Sequence, residues 1–502
     1  MEKVRTFFGK YYQWFILGLA VFLFVTFASE SSFLYRTNEW DDVHCFYTVS
    51  SMMKNGKILY RDIYEQKGPY LYFIHAFAIT LSPGHYYGSY ILELVYGFIT
   101  AYAIYRILSL LINNRNVCVI GTATVLLLYY ISFAFNKGDS VEEMMIPFYA
   151  LSLYWLMKMA MGIKEVKWYQ LMLIGLFTGL AFFSKFTLIG FFAGIVLMVF
   201  IINWRNKKIK FGFASIGFFL VGFIISWIPI LIYFGVNNAF GDLYTVYFYN
   251  NIFHYSSAES AGIGNKLLRM LSAWGVRFAF GYSYYLFILF GFFYILFNKR
   301  IKKDILFYSV LAPYITMNAV IVIGGVDYSY YGLPNGIFAF IGIYALYDLI
   351  THKQKALNMV NNHQKPLQIA ALSLLTILGF VGTPNLPRMF VKQSDIMEYQ
   401  MKAIIEQEEE DKRTVLNYGA LDVGVYYLCN IQPTTKYFTG LNGHFDELEK
   451  EQQRIVDDCE VNFVIARVDN LPLNIDTNYN LVYTGSLNDV GRHYKFNLYK
   501  LK

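Results

Sequence analysis

A chain of 502 residues that is 56% hydrophobic and only 15% charged lies outside the range of ordinary soluble domains. Its net charge of +7 does not mark a nucleic-acid partner, because the basic residues fall in short clusters between apolar segments. Aromatic residues reach 19%, as suits a protein with many membrane interfaces.

Stretches of about 17–25 apolar residues are the spanning unit of a bilayer. Eleven are predicted, at 14–33, 87–111, 117–135, 142–161, 168–183, 186–203, 212–234, 278–297, 304–324, 331–350 and 367–383. The first is too long for a signal-peptide core and no small-residue cleavage site follows it, so it is read as an anchor. The run 168–203 is split at Ser184-Lys185, because one helix that long would overshoot the membrane. Residues 70–81 are apolar but short, and read as an interfacial or re-entrant piece.

Cations orient the spans. With Lys3, Arg5 and Lys10 inside, the inner gaps hold Arg115, then Lys164 and Lys167, then Arg205, Lys207, Lys208 and Lys210, then Lys299, Arg300, Lys302 and Lys303, and finally Lys353, Lys355 and Lys365. The acidic clusters then fall outside: Asp41/Asp42, Asp62/Glu65, Asp139 with Glu142/Glu143, Asp327, and a polar loop 235–277. A passive helix bundle has no need of that asymmetry. The fold class is thus an α-helical polytopic membrane protein, with a membrane domain over 1–385 that includes a first external loop 34–86.

After Pro384 and Pro387 the composition changes, and 386–502 read as a small external α/β domain. A polar helix is predicted over 393–413, strands at 414–418, 462–468, 479–483 and 493–498, and a helix over 444–459. Of the four cysteines, Cys429 and Cys459 are the plausible disulfide partners, and none shows metal-ligand spacing. His44, His75, His85 and His254 show no zinc-site spacing.

The chemistry concentrates in the first outer loop, in Asn38-Glu39-Trp40-Asp41-Asp42 and Tyr60-Arg61-Asp62-Ile63-Tyr64-Glu65-Gln66-Lys67-Gly68-Pro69. Neighbouring aspartates point differently, so one is expected to cap the helix 43–53 while the other serves as base; Asp42 is favoured as base and Asp41 as its orienting or metal-contacting partner. Lys67 lies on a rigid turn made by Gly68 and Pro69, and Lys185 interrupts an apolar run where the positive-inside tendency disfavours it. With Arg61, they are the candidate cations for an anionic lipid phosphate. Glu142, Glu143 and Asp62 are candidates for the acceptor side or for a divalent ion, magnesium or manganese. Asp327, Tyr330 and Tyr331 are candidates for contact with sugar hydroxyls. A base for an acceptor hydroxyl, cations for a leaving phosphate and a lipid-facing groove are the parts that sugar transfer from a phosphate-linked lipid needs.

Asp42, Phe46, Gly56, Tyr60-Arg61-Asp62, Lys67-Gly68-Pro69, Glu142-Glu143 and Lys185-Phe186-Thr187, taken in order, resemble the GT-C superfamily of integral-membrane glycosyltransferases. The bacterial branch related to protein mannosyltransferases (family 39-like) is the most similar. The resemblance covers roughly 1–385 and implies a catalytic aspartate at Asp42, or at Asp41 with a one-residue shift. It also implies a polyprenyl-phosphate sugar donor, inversion at the anomeric carbon, and a glycan, lipid or protein acceptor at the outer face of a bacterial plasma membrane. The family pattern has Asp-Glu where this chain has Asp41-Asp42. A glycan polymerase or ligase and a lipid-linked oligosaccharide transporter are the alternatives; against the transporter, the chain shows no repeat and its ionisable residues do not gather at midplane.

Overall fold

The computed structural model describes residues 2–253, 263–301, 303–323, 328–352, 364–440, 445–489 and 492–502. Asp327, His254, Lys302, Lys353 and Lys355 lie outside the described residues.

A helix overlaps each of the eleven predicted spans. Among the described residues, five are long and apolar enough to cross a membrane by themselves: Tyr11–Ala28, Tyr87–Leu111, Phe186–Arg205, Ile209–Val236 and Ser329–Thr351. Leu271–Phe280 and Tyr282–Phe297 pass only as a pair, bent by 111°. The apolar helices Arg115–Tyr130, Trp168–Phe182, Ile305–Ile321 and Pro366–Gly382 are shorter, and Val141–Ala160 is interrupted by Glu142, Glu143 and Lys158. The loop expected over 235–277 is instead largely helical, with Tyr244–Asn250 a π-helix and Ile263–Phe280 an α-helix. The second has cations such as Lys266, Arg269 and Arg277 spaced among apolar residues, an amphipathic pattern that a search for uniformly apolar spans passes over.

The chain packs as two compact units. The first comprises Met1–Ser29, Tyr90–Ile228 and Ala258–Leu386. Without water to drive them together, its helices associate through close packing of small residues. Gly175 and Gly222 mark such a crossing, where a Cβ on Gly175 would lie 2.0 Å from Phe219 O and one on Gly222 1.9 Å from Met172 O. The break expected at Ser184-Lys185 is present: the α-helix ends at Phe182 and a 3-10 turn, Phe186–Ile189, leads into Gly190–Arg205.

The second unit comprises Glu30–Ser89, Pro229–Ser257 and Pro387–Lys502. It holds the first loop, with helices Asp41–Lys54 and Pro69–Leu81, together with the α/β domain. Strands β1 (Val415–Tyr418), β2 (Phe463–Arg467), β3 (Tyr479–Asp489) and β4 (Arg492–Leu501) form a sheet in the order β1-β2-β4-β3. Only the β1–β2 pair is parallel. Helix Asp446–Asp457 buries Leu448, Gln452, Ile455 and Val456, one stripe at helical spacing. Ile455 and Val456 join Leu416, Val461, Val464, Ile475, Tyr479 and Tyr499 in the domain core.

The polar helix expected over 393–413 is α-helical only over Met397–Ile405, with 3-10 turns at Gln393–Asp395 and Glu410–Lys412. The acidic run that starts at Glu406 would sit at the negative end of the helix dipole, and the helix stops before it. Arg413 takes its place there, donating to the carbonyls of Glu408 and Glu406 at 2.9 and 3.1 Å. Cys429 and Cys459, the plausible disulfide partners, are free thiols.

Candidate active site

In the second unit the loop helix begins at Asp41, with Trp40 in extended conformation at the N-cap and no side-chain cap bond. Neither aspartate is the cap that the sequence suggested. Both lie in the first helical turn, where the helix dipole favours a carboxylate. The Asp42 N–H donates to Asp41 Oδ1 at 2.9 Å. The Asp42 carboxylate is buried and pairs with Lys67 Nζ at 2.9 Å.

Lys67 makes a second ion pair, 3.3 Å from Glu65 Oε1, and its backbone N–H donates to Glu65 Oε2 at 2.7 Å. Its ammonium lies 4.9 Å from the centre of the Phe46 ring. The turn that presents it is held by its neighbours. Gly68 caps the next helix in extended conformation, Pro69 occupies its first position, and Tyr60, at φ 70°, donates its hydroxyl to Lys67 O at 2.5 Å.

Burial alone would pull the Lys67 ammonium down, but Asp42 and Glu65 outweigh it and hold the lysine well above its ordinary value. Burial pushes Glu65 up against the opposing pull of Lys67. Glu65 is the member of this cluster that the sequence reading left out of the site. The available signal was its place two residues before Lys67 in a turn, which lets a carboxylate accept both from the lysine backbone and from its side chain.

Arg61 and Asp62 pair with each other. Arg61 Nε lies 3.0 Å from Asp62 Oδ1, and Arg61 also donates to Asn237 O at 3.1 Å. The Arg61 hydrogen bond holds the Asp62 carboxyl below its usual value, and Asp62 Oδ2 accepts from Ile58 N–H at 2.8 Å. Among the described residues, no bond runs from this pair to Lys67, Asp42 or Glu65.

In the first unit four of the sequence candidates come together. Lys185 Nζ lies 2.5 Å from Glu142 Oε1 and sits over the Tyr331 ring at 3.4 Å, with the Tyr330 ring at 5.3 Å. The chain break positions the lysine, whose N–H donates to Ala181 O at 2.8 Å. Glu142 Oε2 is buried with no hydrogen-bond partner among the described residues. Glu143, next on the helix, points elsewhere. Its Oε2 accepts from Asp139 N–H at 3.1 Å, while Ser140 caps the helix by accepting from Glu143 N–H at 3.0 Å. Glu93 shares that loop, accepting from Asp139 N–H at 2.8 Å and from Ser29 Oγ at 2.5 Å.

Of the acidic candidates for a divalent ion, Asp42, Glu142 and Asp62 each pair with a lysine or arginine, and Glu143 lies with Asp139 and Glu93. Among the described residues no group of three or more His, Cys, Asp or Glu side chains is arranged to hold a metal ion.

The family model described as dolichyl-phosphate-mannose-protein mannosyltransferase matches residues 66–233, a segment that contains Lys67, Glu142, Glu143 and Lys185. Comparison with curated proteins gives no match. Among solved structures the chain is similar to ArnT from Cupriavidus metallidurans bound to undecaprenyl phosphate, with 11% identity, 98% of each chain covered and a TM-score of 0.59. It is similar also to apo ArnT from the same organism, with 11% identity, 96% of this chain and 97% of that one covered, and a TM-score of 0.62. At that identity the likeness is one of fold. The comparisons agree with the GT-C resemblance drawn from the residues: a segment of the chain matches the mannosyltransferase family model, and the chain has the fold of the ArnT structures.

Proposed function

We propose that the protein transfers a sugar from a polyprenyl-phosphate donor to a glycan, lipid or protein acceptor at the external face of the plasma membrane, with inversion. The observation that carries the reading is the Lys185 ammonium, paired with one carboxylate oxygen of Glu142 and seated on the Tyr331 ring. A fixed cation in a poorly solvated setting stabilises charge that develops on a leaving phosphate, and it needs no reorganisation as the reaction proceeds. The ArnT structure holds undecaprenyl phosphate, a lipid of the class proposed here. The segregation of cations and acidic clusters into alternate gaps between apolar segments supports the orientation.

In this reading a first-loop carboxylate takes the proton of the acceptor hydroxyl as its oxygen forms a bond to the anomeric carbon. The bond from that carbon to the phosphate oxygen breaks, and the lipid phosphate leaves with the electron pair. Asp41 is the base of the two aspartates in this reading, because the Asp42 carboxylate is buried in an ion pair with Lys67. Asp42, Lys67 and Glu65 then hold the loop that presents Asp41.

The test offers purified protein a panel of radiolabelled polyprenyl-phosphate sugars with cell-envelope acceptors. Wild type is compared with Asp41→Asn, Asp42→Asn and Lys185→Met. Transfer is expected to fall about 100- to 10,000-fold in Asp41→Asn, and about 100- to 1,000-fold in Lys185→Met. Specific lipid binding with no transfer of any sugar by the wild type would replace this reading with a transporter role. Extension of a lipid-linked glycan by whole repeat units would favour a polymerase.

A further inference from the structure

The helix that carries Asp41 and Asp42 is fastened to the C-terminal domain, within the same compact unit, through a buried histidine. His44 is 1% exposed. Its Nε2 lies 2.6 Å from Asn38 O and its Nδ1 3.3 Å from Asp422 O. A carbonyl oxygen only accepts, whereas a neutral imidazole has one N–H and one bare nitrogen. Both contacts are hydrogen bonds only when the ring carries a proton on each nitrogen.

The same residue, Asp422, also brings a carboxylate to the loop helix. The Asp422 carboxylate is fully buried and is held by Thr48 Oγ at 2.6 Å and Gly424 N–H at 2.8 Å. Thr48 lies one turn beyond His44, so a single residue of the C-terminal domain engages two successive positions on one face of the loop helix. Gly424, at φ 85°, lets the domain backbone close on the imidazole; a Cβ there would lie 2.7 Å from His44 Cε1. Titratable or charged groups near the imidazole include Tyr86 from the first loop, whose ring lies 5.9 Å away, and Tyr427 beside Tyr47 and Tyr86; Asp41, Asp42, Cys45 and Tyr47 flank it on its own helix, and Glu398 acts on Tyr86. Burial pushes the Asp422 carboxyl up to about 6, against the Thr48 and Gly424 hydrogen bonds, so it is ionised above that pH.

We propose that His44, held as an imidazolium between Asn38 and Asp422, is a positioning residue that makes the placement of the Asp41–Asp42 turn depend on pH and on the C-terminal domain. This deepens the reading above and rests on it for its catalytic consequence. As pH rises the ring loses a proton. The longer Nδ1 contact to Asp422 is surrendered first, and the start of the helix loosens.

Amide hydrogen exchange of the full-length protein between pH 6 and 9, corrected for intrinsic rates, tests the latch without relying on turnover. Wild-type protection over residues 44–48 is expected to fall about tenfold across the window, the scale of one lost hydrogen bond to a charged group. His44→Gln is expected to be less protected and flat with pH. Asp422→Asn, which keeps the backbone carbonyl but loses the carboxylate charge, is expected to move the midpoint to lower pH. Flat wild-type protection, the wild-type pH curve persisting in His44→Gln, or an unmoved midpoint in Asp422→Asn would each overturn the proposal. In the transfer assay, kcat should fall with the wild-type exchange midpoint at constant donor KM, and lose that dependence in His44→Gln. A wild type that transfers no sugar would sink the catalytic reading while hydrogen exchange still decides the latch.

Discussion

Replacing Lys67 by methionine would leave two carboxylates, Asp42 and Glu65, buried without their shared cation. The three side chains are 14%, 8% and 2% exposed, so water cannot take the place of the ammonium. Breaking a buried ion pair by removing one partner costs about 3–5 kcal/mol. For a unit of this size each kcal/mol shifts the unfolding midpoint by about 2–4 °C, so Lys67→Met is expected to melt roughly 6–20 °C below wild type. The deficit carries a pH signature. Burial already raises Glu65 above its ordinary 4.5, and loss of Lys67 raises it further. The penalty is complete above the folded value and vanishes below the unfolded one, so the deficit should shrink as pH falls from 8 toward about 4.5. The wild-type lysine, raised above its ordinary 10.5, contributes fully below that value and is lost only as pH rises through its folded one. Thermal unfolding of both proteins in one detergent at pH 5, 6.5 and 8 gives the comparison. A deficit under about 1 kcal/mol, or one independent of pH, would refute the view of this cluster as a buried charge network.

Three further outcomes are expected. Gly222→Leu should abolish correctly folded protein, because any Cβ there meets the Met172 carbonyl, whereas Gly217→Ala, with nothing within 4 Å, should be silent; size-exclusion profiles of the two decide it. Ile455→Ala should destabilise the C-terminal domain by about 2–5 kcal/mol and speed proteolysis within 387–502, and an unchanged cleavage rate would contradict its place in that core. Without reductant, maleimide should label Cys459 faster than Cys429, whose thiol burial pushes up to about 12; labelling that needs reductant would restore the disulfide.

Much of the fold was legible because its signals are local. Apolar runs of bilayer length located the spans, and Lys185 inside such a run marked a break that the structure also has. Where local chemistry is mixed, sequence reasoning failed. An amphipathic helix at 263–280 was read as polar loop, and an acidic run was read as helix although it sits at the dipole's unfavourable end. The candidate residues show the same division. Carboxylates and lysines were visible as types that a membrane protein does not keep without cause, yet their partners were not.

The sequence by itself determined the class of molecule: a polytopic membrane chain with an α/β appendage and a resemblance to GT-C glycosyltransferases, because hydropathy, charge asymmetry and short ordered motifs are properties of the chain. Only the tertiary structure decided which charges meet. It joined Lys185 to Glu142 across 43 positions, closed Asp42 and Glu65 on Lys67, left Arg61 with Asp62, and set Asp422 against His44 across 378 positions. Ion pairs act over a few ångströms and are strong only where packing excludes water, and neither condition can be read from spacing along a chain.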